Sequence, residues 1–336
     1  MEIKKSHKKI KKIFKKSKRI FIMAHNNLDL DALGSSIGFY TILTKQRKKC
    51  FLVVEEKEHE LGVGKVFKEL EGCLKIVNTE NIETFMHKKN KKNLLLILDT
   101  NKKELVQAPK VLDLFNRKMV IDHHEPNKKT INTKYLFIDT NASSTCEIVE
   151  QFIEAYSAKI NPYIATIILS GIMLDTNSFT LKTDASTFYS AYYLTSLGAS
   201  VKKVEYLLKQ DLGEYIERQK LLTNIEIKDN IAIAKGTPHA VYRREDLAHI
   251  ADTLLFFNEV EAAFVVAKID KDEVGVSARS TGDIDIAKIM EKMNGGGDKY
   301  NGATKIGTEP ISKVVEKLKS ILDKEWYYES YSSYRR

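Results

Sequence analysis

Four groups of acids and histidines are the residues of this chain best equipped for chemistry. They are His25, Asp29 and Asp31; Asp99; Asp122, His123 and His124; and Asp175. Carboxylates brought together repel one another unless a cation lies between them. Aspartate mixed with imidazole is a donor set suited to Mn²⁺, with Mg²⁺, Fe²⁺ and Co²⁺ also accommodated. Four aspartates and two histidines suffice for two divalent ions about 3.5 to 4 Å apart, the spacing that clamps a phosphoryl group under in-line attack.

The elements needed to gather these residues are visible around them. The first group follows the apolar run Ile20–Ala24, Asp99 follows Leu94–Leu98, and Asp122 follows Met119–Ile121. In an open parallel α/β sheet the carboxyl ends of the strands converge on one crevice, so groups far apart in sequence meet there. Gly34 and Ser35 come where a helix should begin and would offer backbone N–H groups to an anion. Asp175 sits in an otherwise apolar helical stretch, where an unpaired carboxylate would be costly. Asp122 behind adjacent histidines has the position of a group that orients a ligand.

Strands are predicted at 20–24, 50–54, 94–98, 119–121 and 135–138, alternating with helices at 32–46, 63–71, 144–157 and 162–174. That alternation predicts an α/β domain with a mainly parallel sheet flanked by helices, over residues 1–190. Residues 191–224 read as a helical connector. A smaller α+β domain is expected over 225–328, with strands at 225–227, 231–234, 261–269 and 273–278. Its helices are expected near 244–256, 284–293 and 310–325. Residues 329–336 close a tyrosine-rich tail without periodicity, read as poorly ordered.

The net charge of +9 belongs entirely to residues 1–19, which hold nine lysines and Arg19 against Glu2. Ile3, Ile10, Ile13 and Phe14 recur there at helical spacing, so an amphipathic helix over 3–16 is expected to lie on the first domain. Its lysines read first as a solvated face; electrostatic attraction to RNA or an anionic membrane is the other reading. No apolar run approaches the roughly 20 residues of a membrane span, so no transmembrane segment is expected. The N-terminus lacks the features of a secretory signal. Cys50, Cys73 and Cys146 fit neither a disulfide framework nor a metal knuckle, which points to a reducing, cytoplasmic setting.

In the second domain Ser277-Ala278-Arg279-Ser280 ends a strand, and Gly295-Gly296-Gly297 precedes a polar loop. Arg279 can grip a phosphate bidentately, and a glycine run lets backbone approach an anion. With these residues the chain resembles the DHH phosphoesterase superfamily, named for a triplet like Asp122-His123-His124, with its DHH-associated C-terminal domain. The resemblance implies that His25, Asp29 and Asp99 hold one metal. Asp31, Asp99, His123 and Asp175 would hold the other, with Asp99 bridging. It further implies that Asp122 stands behind the ligands, and that His124 meets the substrate phosphate as donor or proton relay.

Longer stretches narrow the resemblance. Asn141–Thr145, Leu174–Phe179, Arg243–Ala248, Ala251–Leu255 and Ser277–Ser280 with Ile289–Glu291 are similar to the catalytic half of the GdpP-type cyclic-di-AMP phosphodiesterases. The implied activity is hydrolysis of cyclic-di-AMP to 5′-pApA, with pApA to AMP as a further step. Ser143, Ser144, Arg279, Ser280 and Gly295–Gly297 are the implied substrate contacts. Asp298 stands where that family usually has a histidine, and cannot supply the same donor to a phosphate. An oligoribonuclease acting on RNA of two to five nucleotides is the nearest alternative; an inorganic pyrophosphatase shares the metal logic. A non-catalytic nucleotide sensor is a further alternative, opposed by the presence of every expected ligand. The resemblance also allows a homodimer.

Overall fold

A computed structural model describes residues 3–55 and 59–333, and the chain divides into two units, Met1–Gln210 and Asp211–Arg336. In the first unit the elements run α1 (Ile3–Lys16), β1 (Arg19–Met23), α2 (Leu30–Lys45), β2 (Lys49–Val53), α3 (Leu61–Glu69), β3 (Ile76–Val77) and α4 (Ile82–Phe85). They continue with β4 (Asn93–Leu98), β5 (Lys118–Asp122), β6 (Leu136–Ile138), α5 (Thr145–Ala155), α6 (Pro162–Asp175), α7 (Ala185–Ser196) and α8 (Val201–Leu207).

All six strands are parallel, in the order β3-β2-β1-β4-β5-β6. The order reverses between β1 and β4, and in sheets of this kind that switch point is where a crevice opens beyond the strand ends. Both faces are covered, which is why the strands read as unbroken apolar runs. Ile20 and Ile22 of β1 with Leu94, Leu96 and Leu98 of β4 face a core shared with α2, α5 and α6. Phe21, Met23, Leu95 and Ile97 point the other way, against Val106, Val111 and Phe115. The basic α1 lies on α5 and β6 with Ile10, Ile13 and Phe14 buried; the Ile3 side chain lies outside the described residues.

The second unit runs α9 (Leu212–Gln219), β7 (Ile225–Lys228), β8 (Ile231–Lys235), α10 (Arg244–Leu254), β9 (Ala262–Asp270), β10 (Glu273–Ser280), α11 (Ile286–Lys292), β11 (Gly296–Gly297), β12 (Asn301–Ile306) and α12 (Ile311–Ser333). Its sheet has the order β11-β12-β10-β9-β8-β7, antiparallel except for β8 against β9. α10 covers one face and α11 with α12 the other.

Several expectations need correction. The short edge strands β3 and β11, and β12 beside the latter, are additions to the expected set, because two-residue strands and a strand with one exposed face carry little apolar pattern. The stretch expected as a connector is divided between the units at Gln210. α12 continues through Ser333 where a poorly ordered tail was expected; residues 334–336 lie outside the described residues. Helix α2 begins at Leu30, so Gly34 and Ser35 lie inside it and offer no terminal amides to an anion. Among the described residues no helix is long and apolar enough to cross a membrane.

Candidate metal centre

The site is assembled beyond the carboxyl ends of β1, β4 and β5. Asp29 caps α2, its carboxylate accepting from the Ala32 amide at 2.8 Å. This fixes the loop from His25 to Asp31. Asp99 follows β4 in the left-handed region, at φ 56°, a conformation that turns its side chain out of the strand's alternation. Its two oxygens face different partners. His25 Nε2 lies 3.4 Å from Asp99 Oδ2, and His123 Nε2 lies 3.6 Å from Asp99 Oδ1. His25 Nε2 is also 3.4 Å from Asp29 Oδ2, and His123 Nε2 is 3.2 Å from Asp175 Oδ2.

The donor atoms therefore gather as His25, Asp29 and Asp99 on one side and Asp31, His123 and Asp175 on the other. All six residues expected as ligands come together. His124 lies alongside, half exposed, its Nδ1 2.8 Å from Asp122 Oδ1 and 3.8 Å from Asp99 Oδ1. Asp122 is fully buried and also accepts from the His123 and His124 amides.

The electrostatics call for positive charge. Burial and the Asp175 carboxylate push Asp31 up to about 6, and burial and Asp29 push Asp175 up to about 7. Burial and Asp31 raise Asp99 well above the usual carboxylate range. Burial opposes a charged His25, yet Asp29 and Asp99 hold it up to about 11. His123 goes the other way, to about 4, through burial and its neighbour His124. A neutral imidazole is the form that ligates metal, and both His123 ring nitrogens are buried without a hydrogen-bond partner. The residues present thus fit divalent cations. Burial and the Asp31 carboxylate push the nearby Cys146 thiol well up, which keeps it protonated and out of the ligand set.

These shifts set a pH dependence. Asp31 and Asp175 hold protons more tightly folded than at their ordinary value of 3.8. Between about pH 4 and 7 the metal-free folded state therefore binds more protons than the unfolded one, and its stability falls as pH rises. A cation competes with those protons for the same oxygens. The increase in melting temperature on adding Mn²⁺ is expected to be larger at pH 7.5 than at pH 5.5. An equal shift at both pH values would contradict the placement of the cations among these carboxylates.

Other groups in the site left no mark in the sequence. The first amides of α5 aim at Asp31: Thr145 N donates to Oδ2 at 2.8 Å and Cys146 N to Oδ1 at 2.7 Å. A helix N-terminus stabilises a buried carboxylate in this way. The Thr145 hydroxyl donates to Asp99 Oδ1 at 2.9 Å. Asn101 donates to Asp122 Oδ2 at 2.8 Å and is itself held by the Thr130 hydroxyl.

The expected substrate contacts are placed less simply. Ser143 and Ser144 are buried and occupied: the Ser144 hydroxyl accepts from the Glu147 amide as the α5 cap, and the Ser143 hydroxyl donates to the Glu147 carboxylate. They hold the helix that holds Asp31. Arg279 donates through Nε to Asp252 at 2.7 Å and through Nη1 to the Ala278 carbonyl at 3.0 Å. Ser280 accepts from the Gly282 amide. Gly295 and Gly297 lie so close to β12 that an added Cβ would strike backbone, whereas one on Gly296 would meet open space. The Asp298 carboxylate folds back onto the Tyr300 and Asn301 amides, closing the β11–β12 turn.

Comparison with known proteins agrees with this geometry. Residues 19–172 match the DHH family, N-terminal domain, and residues 228–324 match the DHHA1 domain. The cyclic-di-AMP phosphodiesterase GdpP of Bacillus subtilis is 34% identical over 327 residues, covering 95% of this chain and 49% of that protein. The chain thus spans about half the length of that relative. The bifunctional oligoribonuclease and PAP phosphatase NrnA of Mycoplasma genitalium is 26% identical over 313 residues, 88% of this chain and 92% of that protein. An exopolyphosphatase-related protein from Bacteroides fragilis shares the fold, with a TM-score of 0.76 at 22% identity over 94% of this chain and 95% of the other. With both domain types present in this order, the chain belongs to the DHH family and carries a DHHA1 domain as its second unit.

Proposed function

We propose that this chain is a metal-dependent phosphodiesterase that opens cyclic-di-AMP to 5′-pApA and cuts pApA further to AMP. The observation that carries the chemistry is Asp99. Its two oxygens face two histidines that each have a further carboxylate, an arrangement that supports two cation positions with Asp99 between them. In this reading His25, Asp29 and Asp99 hold one ion, and Asp31, Asp99, His123 and Asp175 the other; Mn²⁺ suits the mixed donors best. When bound, the two ions supply Lewis acidity to the phosphoryl oxygens and an activated water for in-line attack.

The protein's own groups do the rest. Asp122 holds the His124 ring by Nδ1, so the half-exposed ring can present its other nitrogen to a phosphate oxygen as donor. The buried amides of Thr145 and Cys146 hold the Asp31 carboxylate in place without drawing on solvent. In the second unit Arg279 and the open backbone at Gly296 are assigned to substrate.

The substrate class rests on likeness to the cyclic-di-AMP relatives, which is higher than that to the oligoribonuclease. Chromatographic analysis of products from cyclic-di-AMP, pApA and a five-nucleotide RNA under identical Mn²⁺ conditions tests it. Cyclic-di-AMP is expected to give pApA first and AMP later. Faster turnover of the RNA than of both dinucleotides would transfer the assignment to the oligoribonuclease reading, which the near-complete coverage of the Mycoplasma relative keeps as the second choice.

A further inference from the structure

Immediately after Asp175, three successive non-glycine residues adopt the left-handed region: Asn177, Ser178 and Phe179, at φ 43°, 58° and 67°. Such runs are rare because Cβ crowds the following carbonyl. Thr176 holds this one. Its carbonyl accepts from the Thr180 and Leu181 amides, and its hydroxyl from the Phe179 amide at 3.0 Å. The turn fixes the Phe179 ring against Phe188 of α7, with 5.5 Å between centroids and 26° between planes. Phe188 is nonetheless 58% exposed.

Beside this pair opens a cleft of about 570 Å³, walled by Thr140–Ala142 on one side and Phe179, Lys182 and Phe188 on the other. Ligand clefts usually measure about 300 to 1,000 Å³. Buried groups brace both walls. The Glu147 carboxylate accepts from Ser143 on the first side and from the Thr187 hydroxyl of α7 on the second, and Asp184 caps α7. Lys182 acts electrostatically on both His123 and Asp175, so its charge lies near the ligand set.

We propose that this cleft receives one nucleotide of the substrate, with its base on the Phe179–Phe188 pair and its phosphate toward Lys182. The inference rests on the phosphodiesterase reading. Aromatic faces stack any base, an ammonium meets phosphate as a point charge, and the polar Thr140–Asn141 wall can bond a base edge.

Calorimetric binding of AMP and of adenosine, with Mn²⁺ present, tests this apart from turnover. Phe188→Ala is expected to weaken both ligands roughly tenfold, the scale of one lost base stack. Phe188→Tyr should bind as wild type, and Lys182→Gln should weaken AMP while leaving adenosine unchanged. In turnover, Phe188→Ala should lower roughly tenfold the preference for pApA over a dinucleotide backbone lacking bases. Unchanged AMP binding in Phe188→Ala, or equal loss in Phe188→Tyr, would overturn the cleft assignment. Failure of the phosphodiesterase reading would look different: wild type inert toward every phosphodiester, whatever the binding results.

Discussion

Asp99→Asn is expected to lower kcat/KM by roughly 10³-fold or more, the scale of losing one preorganised electrostatic contact and more at a position proposed to serve two ions. The same substitution should raise the melting temperature of the metal-free protein. Both effects have one cause. Asp99 is buried beside Asp31 and Asp29, and its folded pKa lies well above the ordinary carboxylate value. In the unfolded chain its charge is free in water, so at neutral pH the folded metal-free state bears a cost that the amide removes. Asparagine keeps an oxygen for the Thr145 hydroxyl. It also tolerates the left-handed backbone better than any residue but glycine, so φ 56° adds no strain. Asp99→Ala would confound the measurement with about 1 to 2 kcal/mol of backbone cost. Melting curves with and without Mn²⁺ read the outcome: a higher metal-free transition and a lost metal-induced shift. Wild-type turnover in Asp99→Asn would remove Asp99 from the bridge.

The candidate ligands were legible because His25, Asp99 and His123 follow apolar strands whose ends a parallel sheet brings together, Asp29 and Asp31 follow His25 closely, and Asp175 is a carboxylate in an otherwise apolar helix. The parts that were not legible depend on contacts between distant elements. Thr145 and Cys146 contribute through backbone amides, which any residue has. Their value appears only when α5 is seen ending on Asp31. Ser143 and Ser144, implied as substrate contacts by the resemblance, show the same dependence on the fold: both hydroxyls are engaged by Glu147. Asp298 likewise accepts from the Tyr300 and Asn301 amides across the β11–β12 turn, a role its place after the glycines does not reveal. β12, Asn301–Ile306, is polar on its exposed side and so carries no strand signature by itself.

Gly171→Ala should cost function more than it costs the fold. Gly171 lies in α6 exactly one turn before Asp175, where α6 crosses α2. A Cβ there would sit 2.5 Å from Cys146 Sγ, 2.8 Å from Asp31 Cα and 2.9 Å from the Leu30 carbonyl oxygen. Two of those three atoms are backbone of the α2 turn that carries Asp31, so the clash cannot be relieved by a side chain swinging away. Overpacking of this kind costs about 1 to 3 kcal/mol, offset by about 1 kcal/mol of improved helix propensity. The net loss of stability is therefore small, and the protein should remain folded. The helices must separate, however, and Asp31 moves with one of them while Asp175 moves with the other. A displacement near 1 Å among reacting groups costs about 10²-fold in rate. Removing the sulfur as well, in Cys146→Ala with Gly171→Ala, should restore little, since the backbone contacts persist. Gly64→Ala supplies the contrast: its Cβ would meet open space in α3, and a gain of about 0.5 to 1 kcal/mol with unaltered turnover is expected. Should Gly171→Ala retain wild-type kcat/KM, Asp31 would have to be held by α5 alone, independently of where α6 lies.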